Sequence, residues 1–238
     1  MAEPTQKRII RKTELERFLS KIKPHLSPKA DLEQYTTPEP AAAEMLYIAA
    51  YANDDIIGKS VLDLGCGTGR LALGAAFLGA RFVVGVDIDK TAIRNAAESS
   101  RQLGFETAVQ WIASDIGTVR GKFDTILENP PFGVQKRNAD RSFLEKALEI
   151  GYRVYSFHNH PSHDSHLAKQ LGASKGNFVR VAPSPFIKRF VENHGGSIKA
   201  VYAILMTIPR MFSFHTKAKH KLTTDLYVIE RNGDMSEG

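Results

Sequence analysis

Residues 128–133 read Glu-Asn-Pro-Pro-Phe-Gly and follow an apolar run at 123–127. Proline fixes φ at about −65° and lacks an N–H, so the two prolines make a stiff turn. The Asn129 side chain and the Pro130 carbonyl then offer two preorganised acceptors, which can take both hydrogens of an exocyclic amine and free its lone pair to attack a methyl group. A plain turn is the alternative. We predict four catalytic residues: Asn129, Pro130, Pro131 and Phe132. The aromatic ring of Phe132 would stack on the nucleobase that carries the amine.

A glycine loop at 63–69, DLGCGTG, is the second stretch that points to chemistry. The dinucleotide fingerprint is G-x-G-x-x-G, but here the glycines are Gly65, Gly67 and Gly69, so the third comes one residue early. Asp63 would oppose a diphosphate but could hold an ammonium group. The loop therefore favours a cofactor that carries an amino acid, S-adenosylmethionine, over the nicotinamide cofactor of a dehydrogenase.

Two more aspartates stand where later strands are predicted to end. Asp87 lies about twenty positions after the loop, where an acidic residue commonly binds ribose hydroxyls. Asp115 is predicted to accept from the adenine amino group or to shape its pocket. Ligands in α/β sheets bind at the carboxyl ends of the strands, so Asp63, Asp87, Asp115 and Asn129 are expected to converge there.

Strands and helices alternate along the predicted chain. Five strands are expected at 61–64, 82–86, 108–112, 122–127 and 153–157, and two further extended runs at 198–208 and 222–230. This pattern predicts an α/β fold, with a seven-stranded, mostly parallel sheet covered by helices on both faces. A basic extension with one helix, residues 1–30, is predicted to precede a single domain, residues 31–238.

Composition limits the class of protein. The 238 residues are 42% hydrophobic and 24% charged, which fits one sizeable globular domain. No apolar stretch is long enough to span a membrane, and no secretory signal is recognisable at the N-terminus. The single cysteine, Cys66, excludes an intrachain disulfide and suits a reducing cytosol, so we predict a cytoplasmic protein.

The net charge is +6, and two basic segments, 7–12 and 210–221, suit a polyanion. Cations beside aromatic rings can pair with phosphates while the rings stack on bases; a solvated charged loop is the alternative. Four histidines within nine residues, from His158 to His166, match no closed zinc site, so we expect no metal. We predict RNA contacts at ten residues: Lys7, Arg8, Arg11, Lys12, His158, Arg210, Phe212, Lys217, Lys219 and Lys221.

The glycine loop, Asp87 and ENPPFG together resemble class I amino-methyltransferases with an Asn-Pro-Pro-aromatic signature. Further segments are EQYTTP at 33–38, GVDID at 85–89, DRSFL at 140–144, YSFH at 155–158 and FSFH at 212–215. With these, the chain is similar to the methyltransferase-like-five family, which N6-methylates one adenosine of small-subunit ribosomal RNA.

The resemblance implies a Rossmann-like class I methyltransferase fold and S-adenosylmethionine as cofactor. It places Gln34 and Thr37 in a segment that closes over the cofactor, and Thr68 and Arg70 beside the loop. Eukaryotic members are stabilised by a small zinc-binding activator protein, which is a possible partner here. The full predicted cofactor site comprises Gln34, Thr37, Asp63, Gly65, Gly67, Thr68, Arg70, Asp87, Ile88, Asp115, Ile116 and Asn129.

Several activities share this signature. An RNA adenine-N6 methyltransferase is the leading hypothesis; guanine-N2 methyltransferases of ribosomal RNA and glutamine-N5 methyltransferases of release factors are the closest rivals. The basic segments weigh against a purely protein substrate. A non-catalytic RNA-binding or assembly protein is the alternative from another class. The stretch between 158 and 198 looks longer than the family leads us to expect, and substrate specificity could differ there.

Overall fold

A computed structural model describes residues 9–25, 28–29, 33–34, 36–132, 139–161, 167, 169–171, 178–209 and 219–233. One sheet runs through it, in the order β3-β2-β1-β4-β5-β8-β7-β6. Its strands are β1 Ser60–Leu64, β2 Phe82–Asp87, β3 Val109–Ala113, β4 Phe123–Glu128, β5 Gly151–Asn159, β6 Phe178–Arg180, β7 Gly196–Pro209 and β8 Lys219–Arg231.

Neighbours among β1 to β5 pair in parallel, whereas β8 pairs antiparallel with β5 and β7, and β6 pairs antiparallel with β7. The predicted α/β architecture is confirmed, but within the described residues the sheet has eight strands and not seven. The additional strand, β6, has only three residues. A strand this short gives no period-two pattern, so the sequence carried no signal for it.

Helices cover both faces of the sheet, as predicted. They are α1 Lys12–Leu19, α2 Glu39–Tyr47, α3 Arg70–Phe77, α4 Lys90–Gln102, α5 Ala139–Ile150 and α6 Pro185–Asn193; a π-helical turn, Ile48–Ala52, continues α2, and a 3₁₀ turn covers Ile116–Thr118. The sequence analysis did not predict α6. Like β6, it lies in the long stretch between 158 and 198.

The apolar side chains form one large cluster on each face of the sheet. One face packs against α1, α2 and α3, and the other against α5 and α6. Helix α1 belongs to the first cluster: Leu15 and Leu19 are fully buried, and Phe18 stacks on Phe77 of α3 with ring centroids 4.1 Å apart. The helix predicted within the N-terminal extension therefore shares the core of the rest of the chain.

Within the described residues, no helix is both long enough and apolar enough to cross a membrane.

Candidate active site

A cavity of about 440 Å³ opens at the carboxyl ends of β1, β2 and β4. That volume suits a small molecule of cofactor size. Parallel strands bring their carboxyl ends to one edge of the sheet, so the loops after these strands form the cavity walls. All twelve residues predicted for the cofactor site are among the residues that line it: Gln34, Thr37, Asp63, Gly65, Gly67, Thr68, Arg70, Asp87, Ile88, Asp115, Ile116 and Asn129.

The glycine loop leads from β1 into α3, and two of its glycines meet different requirements. Gly69 has φ of +81°, and a Cβ there would lie 2.3 Å from Cη2 of Trp111, so this indole packs directly beneath the loop. Trp111 is partly buried and packs against the core cluster on the α1 face. At Gly67, with φ of +53°, a Cβ would meet no atom within 4 Å. The loop is therefore supported from below and open on its upper side, where a ligand can approach its backbone.

Asp63 lies in β1 and is 1% exposed. Its Oδ2 accepts a hydrogen bond of 2.8 Å from the backbone N–H of Ala72. Burial raises the pKa of Asp63 to about 7, and the nearby charge of Asp87 also raises it. A buried carboxyl that lines a cavity and ionises only with difficulty is suited to a ligand that brings a positive charge.

Asp87 ends β2 and fixes the position of the loop. Its Oδ2 accepts from the N–H of Gly67 and its Oδ1 from the N–H of Asp89, each at 2.8 Å. Burial raises the pKa of Asp87, although these two hydrogen bonds lower it. Thr68, the next loop residue, has a buried hydroxyl with no hydrogen-bond partner in the described part of the chain. The cavity thus presents acceptors and a hydroxyl suited to a ligand with several hydroxyl and amino groups.

Described residues of the N-terminal segment, among them His25, Gln34 and Thr37, line one wall of the cavity, here called the N-terminal wall, and Arg70 contacts this segment at two points. Its Nη1 donates to the carbonyl of Thr37 at 2.5 Å and its Nη2 to the carbonyl of Ile22 at 3.1 Å. Glu39 completes the arrangement with an ion pair of 2.9 Å. The guanidinium of Arg70 is thus engaged by the N-terminal segment and holds Thr37 in place.

Asp89 holds the same wall from the other side, and the sequence analysis missed it. Gln34 Nε2 donates to its Oδ2 at 2.9 Å, Lys29 Nζ lies 3.2 Å from its Oδ1, and His25 Nε2 lies 3.3 Å from its Oδ2. Burial alone would raise the pKa of Asp89, but the hydrogen bonds from Gln34, Thr91 and Lys29 and the charge of Lys29 hold it at about 2. An Asp directly before α4 predicts a helix N-cap. The sequence around Asp89 does not predict its contacts with residues 55 to 64 positions away.

The hexapeptide ENPPFG begins with the last residue of β4. Asn129 lines the cavity, and its Nδ2 donates to Thr37 Oγ1 at 2.9 Å. This bond fixes the plane of the amide and therefore the direction of its carbonyl oxygen. Pro131 also borders the cavity. Phe132 is half-buried and packs against the core cluster on the α1 face.

Comparison with known proteins identifies the family. Residues 57–186 match the family model described as a methyltransferase domain. An uncharacterized protein of Methanocaldococcus jannaschii is 37% identical over 237 residues, covering 94% of this chain and 96% of that protein. The rRNA N(6)-adenosine-methyltransferase METTL5 of Danio rerio is 38% identical over 162 residues, covering 66% of this chain and 78% of that protein.

This chain belongs to the METTL5 family of methyltransferases. A crystal structure of a proposed RNA methyltransferase from Pyrococcus horikoshii has the same fold, with a TM-score of 0.78 and 36% identity, covering 95% of this chain and 100% of that chain. The resemblance based on sequence motifs is confirmed.

The residues of the cavity fit the methyl donor of such a methyltransferase, S-adenosylmethionine. The open space above Gly67 and the unpaired hydroxyl of Thr68 leave room and a polar group for the ligand. Asp63 is placed to meet a positive charge, and Asp87 to accept from hydroxyls. Asp115 caps the 3₁₀ turn by accepting from Gly117 N–H at 2.7 Å and stands at the exposed rim.

Glu128, the first residue of the ENPPFG hexapeptide, is fully buried. Burial raises its pKa to about 8, so the carboxyl is protonated at neutral pH. On β5 the residue in register with it is Ser156, whose hydroxyl lies 2.9 Å from Nε2 of His158. Strand β4, which leads into ENPPFG, thus ends in the neutral carboxyl of Glu128.

Replacing Glu128 by Gln is expected to stabilise the fold increasingly as the pH rises from 5 to 8. The ordinary pKa is 4.5 and the folded one about 8, so between these values the folded state holds a proton that the unfolded state has released. Stability then falls with rising pH, by up to about 1.4 kcal/mol per unit, and the amide removes this loss. In urea unfolding, the variant and the wild type should have nearly equal free energies of unfolding at pH 5. At pH 8 the free energy of unfolding of the variant should be higher by at least about 1 kcal/mol. An advantage independent of pH would contradict the assignment.

One RNA contact predicted from sequence is wrong, and a second predicted residue has a partner within the fold. His158 is 3% exposed, and burial lowers its pKa to about 4, so it is a neutral interior residue and not a phosphate ligand. The reason is that β5 extends past its predicted end at residue 157 and takes His158 into the sheet. Lys12 forms an ion pair with Glu44 of α2, which engages its charge within the fold.

The other predicted RNA contacts are only partly described. Arg11 has a side chain that is 81% exposed. Lys219 and Lys221 occupy β8, in register with Pro209 and Thr207. Outside the described residues lie Lys7, Arg8, Arg210, Phe212 and Lys217, together with His163 and His166 of the histidine cluster. Among the described residues, no three potential metal ligands come together.

Proposed function

We propose that this chain is an S-adenosylmethionine-dependent RNA methyltransferase that methylates N6 of an adenosine in small-subunit ribosomal RNA. One observation carries the proposal: the Asn129 amide stands at the wall of the cavity with its plane fixed by Thr37. The name of the zebrafish relative, an rRNA N(6)-adenosine-methyltransferase, supports the choice of substrate.

The proposed chemistry depends on two acceptors of hydrogen bonds. The lone pair of an aromatic exocyclic amine is delocalised into its ring, which makes the amine a poor nucleophile. The carbonyl oxygen of Asn129 and the backbone carbonyl of Pro130 accept its two hydrogens, and this favours a pyramidal nitrogen with a localised lone pair. Because both acceptors are fixed before substrate binds, little reorganisation is needed in the transition state.

When bound, S-adenosylmethionine supplies an electrophilic methyl group on a sulfonium. In this proposal Asp63 holds its ammonium group, Asp87 accepts from the ribose hydroxyls, and Asp115 and Ile116 border the adenine. These contacts place the donor beside the Asn129 corner. Positioning of the two reactants contributes a large part of the rate enhancement of such transfers.

The target adenosine must leave its stack to reach this corner. We propose that Phe132 stacks on the flipped base and aligns its amine with the methyl group. The N-methylated base loses its extra proton readily to water, because the positive charge on an aromatic amine is poorly stabilised. No general base is therefore assigned.

The test is transfer of a labelled methyl group to small-subunit ribosomal RNA. We expect N6-methyladenosine after digestion to nucleosides and mass spectrometry. N2-methylguanosine would instead favour the guanine-N2 activity, and labelling of a release factor alone would favour glutamine N5. Normal binding of cofactor without any transfer would indicate a non-catalytic RNA-binding or assembly protein.

The proposal extends to partners and location. We infer a cytoplasmic protein with RNA as its partner. A small zinc-binding activator, as in the eukaryotic relatives of the resemblance, is a separate proposal. Co-expression with such a protein tests it: a rise in melting temperature and in activity would support it, and equal values with and without it would refute it.

A further inference from the structure

We propose that a surface formed by Arg141, Phe186 and Arg189, here called the α5–α6 patch, binds the RNA strand that flanks the target adenosine. The inference rests on the proposed function and deepens it, because it assigns a path for the substrate outside the cavity. The patch lies partly on α6, in the stretch that the sequence analysis singled out as longer than expected.

The patch combines an exposed aromatic ring with two arginines. Phe186 is 47% exposed, and the guanidinium carbon of Arg141 lies 4.5 Å from its ring centroid. At 100° per residue along α6, Arg189 projects from a side adjoining Phe186, while Ile187 and Val191 are buried in the core. A guanidinium beside an exposed ring suits a nucleic-acid strand, since the ring can stack on a base and the cations can pair with phosphates.

The patch is continuous with the mouth of the cavity. Arg141 stands in the first turn of α5, between residues that border the cavity: Ala139, Ser142 and Phe143. The ring of Phe143 packs against the glycine loop, where a Cβ on Gly65 would lie 2.6 Å from its Cε1. An RNA strand whose adenosine enters the cavity could therefore reach the patch with its neighbouring nucleotides.

The charge of the patch is only partly offset within the fold, by the Asp140 carboxyl beside Arg141. Glu192 pairs with Lys188 at 3.9 Å, and Glu145 lies 4.0 Å from His194. Arg141 and Arg189 form no salt bridge with any residue that the structure describes. Two available cations next to an exposed ring favour a polyanion over an apolar protein partner.

The experiment measures binding of a single-stranded RNA of about 16 nucleotides by fluorescence anisotropy at several salt concentrations. The double variant Arg141→Ala/Arg189→Ala is expected to bind at least about tenfold more weakly, with a salt slope smaller by about 1.4 for two lost phosphate contacts. Phe186→Ala should weaken binding without changing the salt slope. S-adenosylmethionine affinity and melting temperature, measured on the same samples, show that each variant is folded.

Lys188→Ala is the matched control. It removes one positive charge from the same helix, but from the side where Lys188 pairs with Glu192, so RNA affinity should change little. Arg141→Lys/Arg189→Lys keeps both charges and should retain most of the affinity. Equal losses in the control and the double variant would reduce the effect to net charge and overturn the proposal. Wild-type affinity in the double variant would also overturn it, and would point to a protein partner.

The inference and the proposed function fail in different ways. If wild-type protein methylates adenine while the double variant binds RNA normally, only the patch is refuted. If wild-type protein binds RNA through the patch but transfers no methyl group to adenine, only the reaction is refuted.

Discussion

Replacing Asn129 by Ala is expected to lower kcat for methyl transfer at least about a hundredfold, a loss typical of removing one preorganised polar group. The side chain accepts one amine hydrogen of the base, and alanine leaves that hydrogen without its acceptor. Affinity for S-adenosylmethionine should change much less, because the acidic and glycine residues of the cavity remain. Single-turnover kinetics and calorimetry measure the two quantities separately.

Thr37 provides the companion variants for this test. Its hydroxyl accepts from the Asn129 amide, so Thr37→Val removes this hydrogen bond. We expect an intermediate loss in kcat, of about tenfold, and recovery in Thr37→Ser, which keeps the hydroxyl. If Asn129→Ala lost cofactor affinity and kcat equally, Asn129 would have a structural role and the proposed mechanism would fail.

Replacing Asp63 by Asn is expected to weaken S-adenosylmethionine binding by about a hundredfold, as removing one partner of a buried charge pair commonly does. The fold should survive, because an amide oxygen can still accept from the Ala72 N–H. It should even gain stability at neutral pH, since burial raises the pKa of the carboxyl from 3.8 to about 7 and so makes its ionised form costly.

Asp63 also predicts a pH dependence of cofactor binding. Below pH 7 the empty protein holds a proton on this carboxyl, and a cationic ligand must displace it. Wild-type affinity should therefore fall between pH 7 and 5.5, by up to about tenfold per unit, while Asp63→Asn removes this part of the dependence. As a control, 5′-methylthioadenosine keeps the adenine and ribose but lacks the amino-acid part. Its binding should respond little to the substitution; an equal loss for both ligands would contradict the assigned contact.

Sequence sufficed for the part of the molecule that local patterns determine. Apolar runs ending in Asp87 or Asn129 predicted strands, and parallel topology then placed their ends at one edge, where the cavity lies. The glycine loop was recognisable because its backbone needs residues with positive φ. These features depend on a few adjacent residues, and a single sequence contains them in full.

The remaining features depend on contacts between distant segments. Gln34 donates a hydrogen bond to Asp89, which lies 55 residues away in sequence, and no local pattern near either residue predicts this contact. The burial of His158 depends on β8, which pairs with the end of β5 from far along the chain. Helix α6 has a buried side of only two core residues, Ile187 and Val191. In each case the structure depends on contacts with segments that are distant in the sequence.

The N-terminal wall of the cavity, which includes His25, Gln34 and Thr37, has a consequence for product release. We expect release of the spent cofactor to require the contacts of this wall with Asp89 and Arg70 to break. The rate of repeated turnover would then depend on how often these contacts break, although they lie away from the methylated nitrogen. Methyl transfer could then be fast while exchange of the cofactor stays slow. The bound donor would remain in the cavity between encounters with RNA.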